Sequence, residues 1–500
     1  MKYKKAYYNI ITKIIYQIVA LVTGLITPRL ILQSFGSTYN GAISSINQFL
    51  SMISVLTIGI AGAMRVELYK NFAQDDLMGT SKIVKATDTF FKKIGKILIV
   101  YTFVLAILFP IMLKDEIPCM DSVLLVLILS LSTFGVYYFG QTYFLFLQAD
   151  QSEYITTIGH IIINIVNMFI VVFMVKAQFN IFAVKLSCSI LPVMYPIIIS
   201  KYVKHKYKLI TDIDADLSLL GQRKDAMFHS IANIVHDNTD IILLTVFTNA
   251  KIISVYTVYY SIVRNVKQLF QNFTTGLEAA FGVLWASGQK LTFKKNFEIY
   301  EFLSFSFSSV IFTCVGLLIL PFIKLYTYGI NDVNYIRMTF ATLVTITEAV
   351  FCIRQPYVTI VQAAGKYKET KKGAFLEAVI NLLVSLILVN FIGLNGVIIG
   401  TLVSNLFRTC QYAYFSYKYL LQRNIVFFVK NICIHMLNTT LTVVIFNKVL
   451  QYMTINTWLN WTIEACICFA ISLVVTLFNA FIFNKRYLVA SFGVIKKMIK

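Results

Sequence analysis

The sequence predicts an all-α polytopic membrane protein with about fourteen transmembrane helices. Hydrophobic residues make up 58% of the 500-residue chain, charged residues make up 13%, and the mean hydropathy is +0.74. Soluble domains are typically about 45–50% apolar and about 25% charged. Apolar runs of about 20 residues, long enough to cross a bilayer as helices, recur from end to end. Because these runs lack the alternation of barrel strands, helices are favoured.

The predicted spans follow one another with short loops. They lie near residues 10–32, 41–64, 94–113, 122–145, 155–175, 180–200, 226–248, 252–275, 302–323, 337–361, 374–392, 395–416, 428–447 and 458–482. The first run is too long for a signal peptide and lacks a cleavage motif, so we expect a retained span. Six spans, a basic loop, six more spans and a final pair predict an N-lobe (1–210), a C-lobe (211–420) and a C-terminal pair (421–500). Two lobes of equal orientation are typical of parallel-repeat transporters.

The net charge of +21 is distributed unevenly between the two sets of loops. Most Lys and Arg lie on the side of the N-terminus, in segments such as 65–96, 201–224 and 485–500. The other side carries few: Lys114, Lys176, Lys251, Lys324 and Lys448. This bias predicts a protein of the cytoplasmic membrane with both termini in the cytoplasm. It also explains the basic excess without a nucleic-acid partner.

The sequence offers little support for enzyme chemistry. Eight cysteines are scattered mostly through the spans, with no spacing typical of a zinc site or a disulfide framework. We therefore expect no metal and no cofactor. Every loop is short, which leaves no room for a catalytic domain outside the membrane. We predict that the protein is not an enzyme.

Polar residues inside the seventh and eighth spans need an explanation, since a charge at mid-bilayer costs roughly 2.5–3.5 kcal/mol. The segment 233–244 reads NIVHDNTDIILL, and Asp237 and Asp240 lie on one helical stripe of it. Arg264 and Lys267 share a stripe of the eighth span. At about 1.5 Å per residue, Asp237 and Arg264 lie at similar depth. They form either a structural ion pair or part of a substrate or ion site, and the sequence leaves both open.

Three further spans carry buried polar residues. The tenth holds Glu348 and Arg354, the eleventh Glu377, and the twelfth Asn405 and Arg408. Stripes on several helices predict an aqueous interior, although asparagines also join helices by hydrogen bonds. The basic side chains on these stripes are suited to binding an anionic cargo, because guanidinium groups bind phosphate oxygens bidentately. They are Arg264, Lys267, Arg354 and Arg408.

Two segments resemble the polysaccharide and lipid-linked oligosaccharide flippases of the multidrug/oligosaccharidyl-lipid/polysaccharide (MOP) exporter superfamily. The first, residues 25–63, reads LITPRLILQSFGSTYNGAISSINQFLSMISVLTIGIAGA. Its matching features are a proline near the end of the first span and glycines around the turn and in the second span: Pro28, Gly36 after Phe35, Gly41, Gly59 and Gly62. The second, NTDIILL at 238–244, resembles that family's polar seventh span. The layout of six, six and two spans extends the resemblance over nearly the whole chain.

The resemblance implies a MATE-like, V-shaped pair of lobes with alternating access and a cationic cavity. The cavity would take up the pyrophosphate and sugars of an undecaprenyl-linked glycan, while the lipid tail stays in the bilayer. The cavity candidates are Arg264, Lys267, Arg354, Arg408, Asn405 and Arg29. Arg29 lies near a span end, so it is also a candidate for an interfacial side chain. The acidic candidates for tuning the cavity or coupling an ion are Asp237, Asp240, Glu348 and Glu377.

The predicted function is therefore a flippase for surface polysaccharide biosynthesis. Its expected partners are the anionic lipid-linked glycan, the bilayer and other polysaccharide-assembly membrane proteins, and we expect a monomer. Three alternatives stay open. A cation-coupled multidrug exporter of the same superfamily would have an acidic cavity. A membrane-embedded glycan polymerase or ligase would need a long outer loop with catalytic Arg or His. A peptidoglycan-precursor flippase would differ mainly in its cargo.

Overall fold

The computed structural model describes residues 2–113, 116–210, 212–215, 238–450 and 456–499. Within these ranges the chain forms sixteen α-helices. Their bounds are α1 Lys2–Ser51, α2 Ile60–Ala73, α3 Leu77–Met112, α4 Cys119–Gly135, α5 Gln141–Ala149, α6 Glu153–Lys176, α7 Ile181–Lys206, α8 Asn238–Phe247, α9 Ala250–Ala286, α10 Lys290–Tyr326, α11 Met338–Ala363, α12 Tyr367–Ile392, α13 Leu394–Phe415, α14 Val426–Leu450, α15 Trp458–Phe483 and α16 Lys485–Ile499.

Each predicted span coincides with helix wherever its residues are described, so the all-α polytopic fold is confirmed. The second span runs from α1 through a 3₁₀ helix (Met52–Thr57) into α2. The first span lies in α1, which bends sharply at Gly36, where φ is 80°. A left-handed φ of this kind favours glycine. The fourth span runs from α4 through a π-helical turn (Val136–Gly140) into α5. The seventh is described only from Asn238 onward, as α8.

Nine helical stretches in the described ranges are long and apolar enough to cross a membrane. α9, α11 and α13 coincide with predicted spans but lie outside this set. These three helices carry Lys267, Arg354 and Arg408 in their interiors. The buried cations lower the mean hydropathy of these three predicted spans.

The chain divides into two compact units. One comprises Met1–Thr257 with Ile330–Val333, and the other comprises Val258–Gly329 with Asn334–Lys500. The division falls within α9, so the first unit includes α8 as well as α1 to α7. The sequence predicts a different division, into an N-lobe (1–210), a C-lobe (211–420) and a C-terminal pair (421–500). That division stays a prediction.

The first unit contains two apolar clusters. One joins the second half of α1 to α3 and α4 through Ile46, Leu50, Phe109 and Leu125. The other joins α2, α3, α5 and α7 through side chains that are almost fully buried: Met64, Leu68, Phe91, Phe146 and Val203. Burial of such side chains stabilises each by about 1.5–3 kcal/mol relative to exposure in water.

α1 also meets α8 and the start of α9 along a row of small polar side chains. Asn40 Nδ2 donates to Ser254 Oγ at 2.8 Å, and the hydroxyls of Ser45 and Thr245 lie 2.5 Å apart. Between these bonds the backbones approach closely, since a Cβ on Gly41 would lie 1.7 Å from the carbonyl oxygen of Ala250. Only glycine fits at position 41.

Loops predicted to lie on the outer side are joined within the same unit. The Ser37 amide and hydroxyl both donate to the Asp332 carboxylate at 2.7 Å. The Glu116 carboxylate accepts from the Ala250 amide at 2.8 and 3.0 Å. Since Ala250 opens α9, this carboxylate occupies a helix N-terminus, where negative charge is stabilising.

At the predicted cytoplasmic side, the turn between α5 and α6 binds the N-terminal part of α1. Lys5 Nζ donates to Asp150 Oδ2 at 2.8 Å, and the Tyr207 hydroxyl donates to the same oxygen at 2.5 Å. Burial raises the pKa of Asp150, but hydrogen bonds from Lys5, Ser152 and Tyr207 outweigh it and leave the pKa below its ordinary value. The turn itself carries no Lys or Arg, and Lys5 supplies the cation.

The second unit has an aromatic core. Phe297 of α10, Tyr357 of α11 and Tyr417 after α13 are almost fully buried within it. The Glu301 carboxylate lies among them and accepts from the Tyr357 and Tyr417 hydroxyls at 2.5 and 2.6 Å. α14 and α15 pack against α10 through a smaller cluster that includes Leu318, Phe446 and Cys468. This arrangement holds α11 in the interior of the unit.

We predict that Gly41→Ala destabilises the first unit by about 1–3 kcal/mol, because its methyl group overlaps the Ala250 carbonyl. Thermal unfolding of the purified protein measures this. Gly62→Ala is the matched control, since no atom lies within 4 Å of a Cβ at that helical position. Equal melting temperatures for the two variants would contradict the close approach at Gly41.

Candidate functional site

The predicted site residues of the second unit meet around α11. Glu348, Phe351 and Arg354 follow one another at intervals of three, which places them along one side of the helix. Their exposed fractions are 3%, 9% and 6%. α11 therefore carries an anion, an aromatic ring and a cation in sequence through the interior of the unit.

Lys267 of α9 joins this row at Glu348. Its Nζ lies 3.3 Å from Glu348 Oε2 and 3.8 Å from the centre of the Phe351 ring. The ring face attracts a cation, and the attraction is stronger when both are removed from water. Lys267 is thus held by a carboxylate and an aromatic face together.

Arg354 continues the row and also contacts the Phe351 ring. Its Cζ lies 4.8 Å from the Phe351 ring centre, and its Nη1 binds Glu377 Oε1 of α12. Glu377 also faces Arg408 of α13, whose Nε lies 3.3 Å from Glu377 Oε2. One buried carboxylate therefore serves two guanidinium groups. The sequence predicts these polar positions separately, and the structure brings them into one charged row.

The two arginines differ in how far their donors are used. Arg408 is 2% exposed. Its Nη2 donates to the Tyr412 hydroxyl at 3.0 Å, and its Nη1 donates to the Thr370 carbonyl at 3.0 Å and also to Gln411 Oε1. Arg354 Nε, in contrast, has no hydrogen-bond partner in the described chain. Arg354 thus has one buried donor without an acceptor among the described residues, whereas Arg408 is engaged within the helix bundle.

The charged row has an excess of positive charge. Its three cations, Lys267, Arg354 and Arg408, face two carboxylates, Glu348 and Glu377, and 3 − 2 gives a formal charge of +1. Asn405 lies nearby on α13, where its Nδ2 donates to the Thr347 carbonyl at 3.4 Å. Asn405 Oδ1 has no partner among the described residues. The row offers hydrogen-bond donors and acceptors beside a surplus cation.

Three predicted site residues are not part of this row, and a fourth is not described. Asp240 belongs to the first unit and accepts a hydrogen bond from the Tyr256 hydroxyl at 2.9 Å. Arg29, also in the first unit, is half-buried on α1, and Arg264 is exposed on α9. Asp237 lies outside the described residues, so the predicted Asp237–Arg264 contact stays a prediction.

Two structural roles are absent from the sequence prediction. Phe351 contacts both Lys267 and Arg354, but an aromatic residue in an apolar helix gives no sign of cation binding. Glu301 is 2% exposed in the aromatic core. Because Glu301 lies just outside a predicted span, the sequence gives no reason to expect that it is buried. In the structure it is buried among the tyrosines that donate hydrogen bonds to it. Within the described residues, no group of three or more His, Cys, Asp or Glu is placed to hold a metal ion.

Comparison with solved structures identifies transporters with the same fold. A structure of the lipid II flippase MurJ in an inward closed conformation matches with a TM-score of 0.72 and 15% identity, over 96% of this chain and 99% of that one. An inward-facing multidrug resistance MATE family transporter of the MOP superfamily matches with a TM-score of 0.60 and 13% identity, over 79% and 92% of the two chains.

A third similar structure is a MOP superfamily transporter from Pyrococcus furiosus, with a TM-score of 0.58 and 12% identity, over 84% of this chain and 97% of that one. No family model and no curated protein matches the sequence. The chain thus has the polytopic membrane fold of MOP superfamily transporters, and the fold predicted from its sequence is confirmed.

We predict that Glu377→Gln destabilises the second unit more than Arg354→Met does. The first change leaves two buried guanidinium groups facing each other, and breaking a buried pair in this way typically costs about 3–5 kcal/mol. The second leaves the Arg408–Glu377 pair intact. Thermal unfolding of both variants and of the double variant measures the difference. If Arg354→Met lowered the melting temperature as much as Glu377→Gln, the bridging role of Glu377 would be wrong.

Proposed function

We propose that the protein is a flippase for an undecaprenyl-pyrophosphate-linked oligosaccharide that serves surface polysaccharide biosynthesis by alternating access. The observation that carries the proposal is the buried charged row on α9, α11, α12 and α13, with its formal excess of one cation. A cationic surplus in the membrane interior favours an anionic cargo, and intramembrane ionisable residues usually mark a substrate or ion pathway.

The proposed chemistry is binding without reaction. Arg354 contributes its unused Nε to a phosphate oxygen, and Lys267 adds a second cation across the Phe351 ring. Arg408, fully engaged by its neighbours, positions Glu377 and through it Arg354. Asn405 supplies an amide oxygen for a sugar hydroxyl.

The remaining predicted residues have proposed roles of a different kind. Arg264 and Arg29 attract the anionic headgroup along its path. The acidic residues Asp237, Asp240, Glu348 and Glu377 set the affinity of the cations or couple an ion. We further propose that the protein works as a monomer in the cytoplasmic membrane, with both termini in the cytoplasm, beside other polysaccharide-assembly proteins.

Two related functions are supported by the structures of similar fold. The likeness to a lipid II flippase favours a lipid-linked cargo and is compatible with a peptidoglycan precursor. The likeness to a multidrug transporter favours a cation-coupled exporter of small molecules. An exporter of organic cations would be expected to have a binding site with net negative charge. The charged row has a net positive charge.

Deletion of the gene tests the cargo. We expect lipid-linked repeat units to accumulate on the inner leaflet while surface glycan is lost, because the translocation step is missing. Extraction of lipid-linked intermediates and staining of surface glycan measure the two effects. Accumulated peptidoglycan precursor with normal surface glycan would favour the precursor flippase instead, and altered drug resistance alone would favour the exporter.

Replacement of the exposed Arg264 tests its proposed role in attracting the anionic headgroup. We expect Arg264→Ala to abolish complementation of the deletion while the protein reaches the membrane with an unchanged melting temperature, since the side chain is exposed in the second unit. Lys290→Ala removes another exposed cation, at the start of α10, and should complement normally. An Arg264→Ala protein that is missing from membranes would support a structural ion pair instead.

A further inference from the structure

A second cationic site lies away from the charged row, where α10, α14, α15 and α16 of the second unit meet. A cavity of about 140 Å³ opens there. Its polar lining includes two acidic, four basic and two amide side chains: Glu298, Glu301, Arg423, Lys430, Lys485, Arg486, Asn431 and Asn484. Pockets that enclose drug-sized molecules are larger, at about 300–1,000 Å³. The size suits a small ionic group.

The two acidic side chains are already engaged. Arg423 Nη1 lies 3.6 Å from Glu298 and 3.8 Å from Glu301. Glu301 also accepts the hydroxyl hydrogen bonds of Tyr357 and Tyr417. Four basic and two acidic groups give 4 − 2, a formal charge of +2, around the cavity. The wall therefore attracts an anion.

Three of the four cations are exposed. Lys430 is exposed and directs its ammonium to the end of α15, with donations to the Phe483 carbonyl at 3.0 Å and to Asn484 Oδ1 at 3.3 Å. Lys485 and Arg486 are exposed and belong to no ion pair in the described part of the chain. They open the fifteen-residue helix α16. The first amides of a helix lack intrahelical acceptors, and its N-terminus carries partial positive charge.

The composition of α16 is typical of a helix that lies at a membrane surface. Its sequence, KRYLVASFGVIKKMI, has a pair of basic residues at its start and another near its end, with a mostly apolar stretch between them. Val489 and Phe492 are 63% and 57% exposed. Amphipathic helices of this composition lie in the interface between headgroups and acyl chains, and the basic excess assigns the helix to the predicted cytoplasmic leaflet.

We propose that the cavity binds the phosphate of an anionic phospholipid headgroup from the cytoplasmic leaflet, with α16 lying along the interface beside it. Lys485, Arg486 and the first turn of α16 contact the phosphate oxygens, and Asn431 of α14 lines the same cavity. Inorganic phosphate presents the same oxygens. The apolar residues of α16 that flank the cavity favour the lipid. The site is independent of the cargo proposed for the charged row.

Native mass spectrometry of the full-length protein tests the site. The protein is released from micelles that contain equal parts of phosphatidylglycerol and phosphatidylcholine, and bound lipids are counted. We expect preferential retention of phosphatidylglycerol. The double variant Lys485→Gln/Arg486→Gln should weaken that retention by roughly tenfold or more, since each basic residue near an anionic surface contributes about 1 kcal/mol.

The matched control removes the same two charges elsewhere on that side. Lys290→Gln/Lys295→Gln changes two exposed lysines of α10 that do not line the cavity, and it should retain the lipid. Equal loss in both double variants would overturn the proposal, because it would indicate general surface attraction. Displacement of the lipid by millimolar inorganic phosphate would also overturn it, in favour of a free-phosphate site. Lys485→Arg/Arg486→Lys preserves both charges and should retain binding, which separates charge from folding.

Discussion

The charged row is organised by the cost of an unpaired charge away from water. Arg354, Glu377 and Arg408 are each at most 6% exposed, and removal of Glu377 leaves two buried guanidinium groups without their carboxylate. The row therefore fixes how α11, α12 and α13 face one another in the second unit. Glu377 has the central place, because its two carboxylate oxygens contact the two guanidinium groups. Packing brings these helices together, and the ion pairs add a polar constraint on which faces meet.

The ion pairs also give different surroundings to two arginines, Arg354 and Arg408, that look alike in the sequence. Arg354 and Arg408 are both arginines in the interiors of apolar helices. Arg408 has acceptors from Glu377, Thr370, Gln411 and Tyr412, which makes it a structural group. Arg354 keeps an unused Nε and an aromatic neighbour. A cation that is held in place with a donor to spare is preorganised for a ligand, because little side-chain entropy remains to be lost. In the proposed function, this difference separates the group that binds from the group that positions.

Sequence patterns predict much of the fold and the faces of the site, but not its contacts. Hydropathy locates the spans, since about 20 apolar residues are needed to cross a bilayer. Helical periodicity places Glu348 and Arg354 near one face. It does not say which helix lies opposite, so Glu377 and Lys267 emerge as their partners only in three dimensions. The glycine at 41 is visible as a motif, but its reason, the Ala250 carbonyl, lies about two hundred residues away along the chain. α16 is missed because it is too short and too basic to resemble a span.

A row of paired charges suits transport better than a set of unpaired cations would. An isolated guanidinium in a dry interior is costly, and a pyrophosphate bound to it would be difficult to release. On the proposed function, an arriving phosphate would compete with Glu348 and Glu377 for Lys267 and Arg354. Binding then exchanges one anionic partner for another, so most of the Coulomb attraction cancels between the empty and loaded states. A carrier must bind its cargo well enough to admit it and weakly enough to let it leave, and this requirement also governs ion conduction. On the proposed function, the two carboxylates therefore assist release, and their removal would trap cargo rather than exclude it.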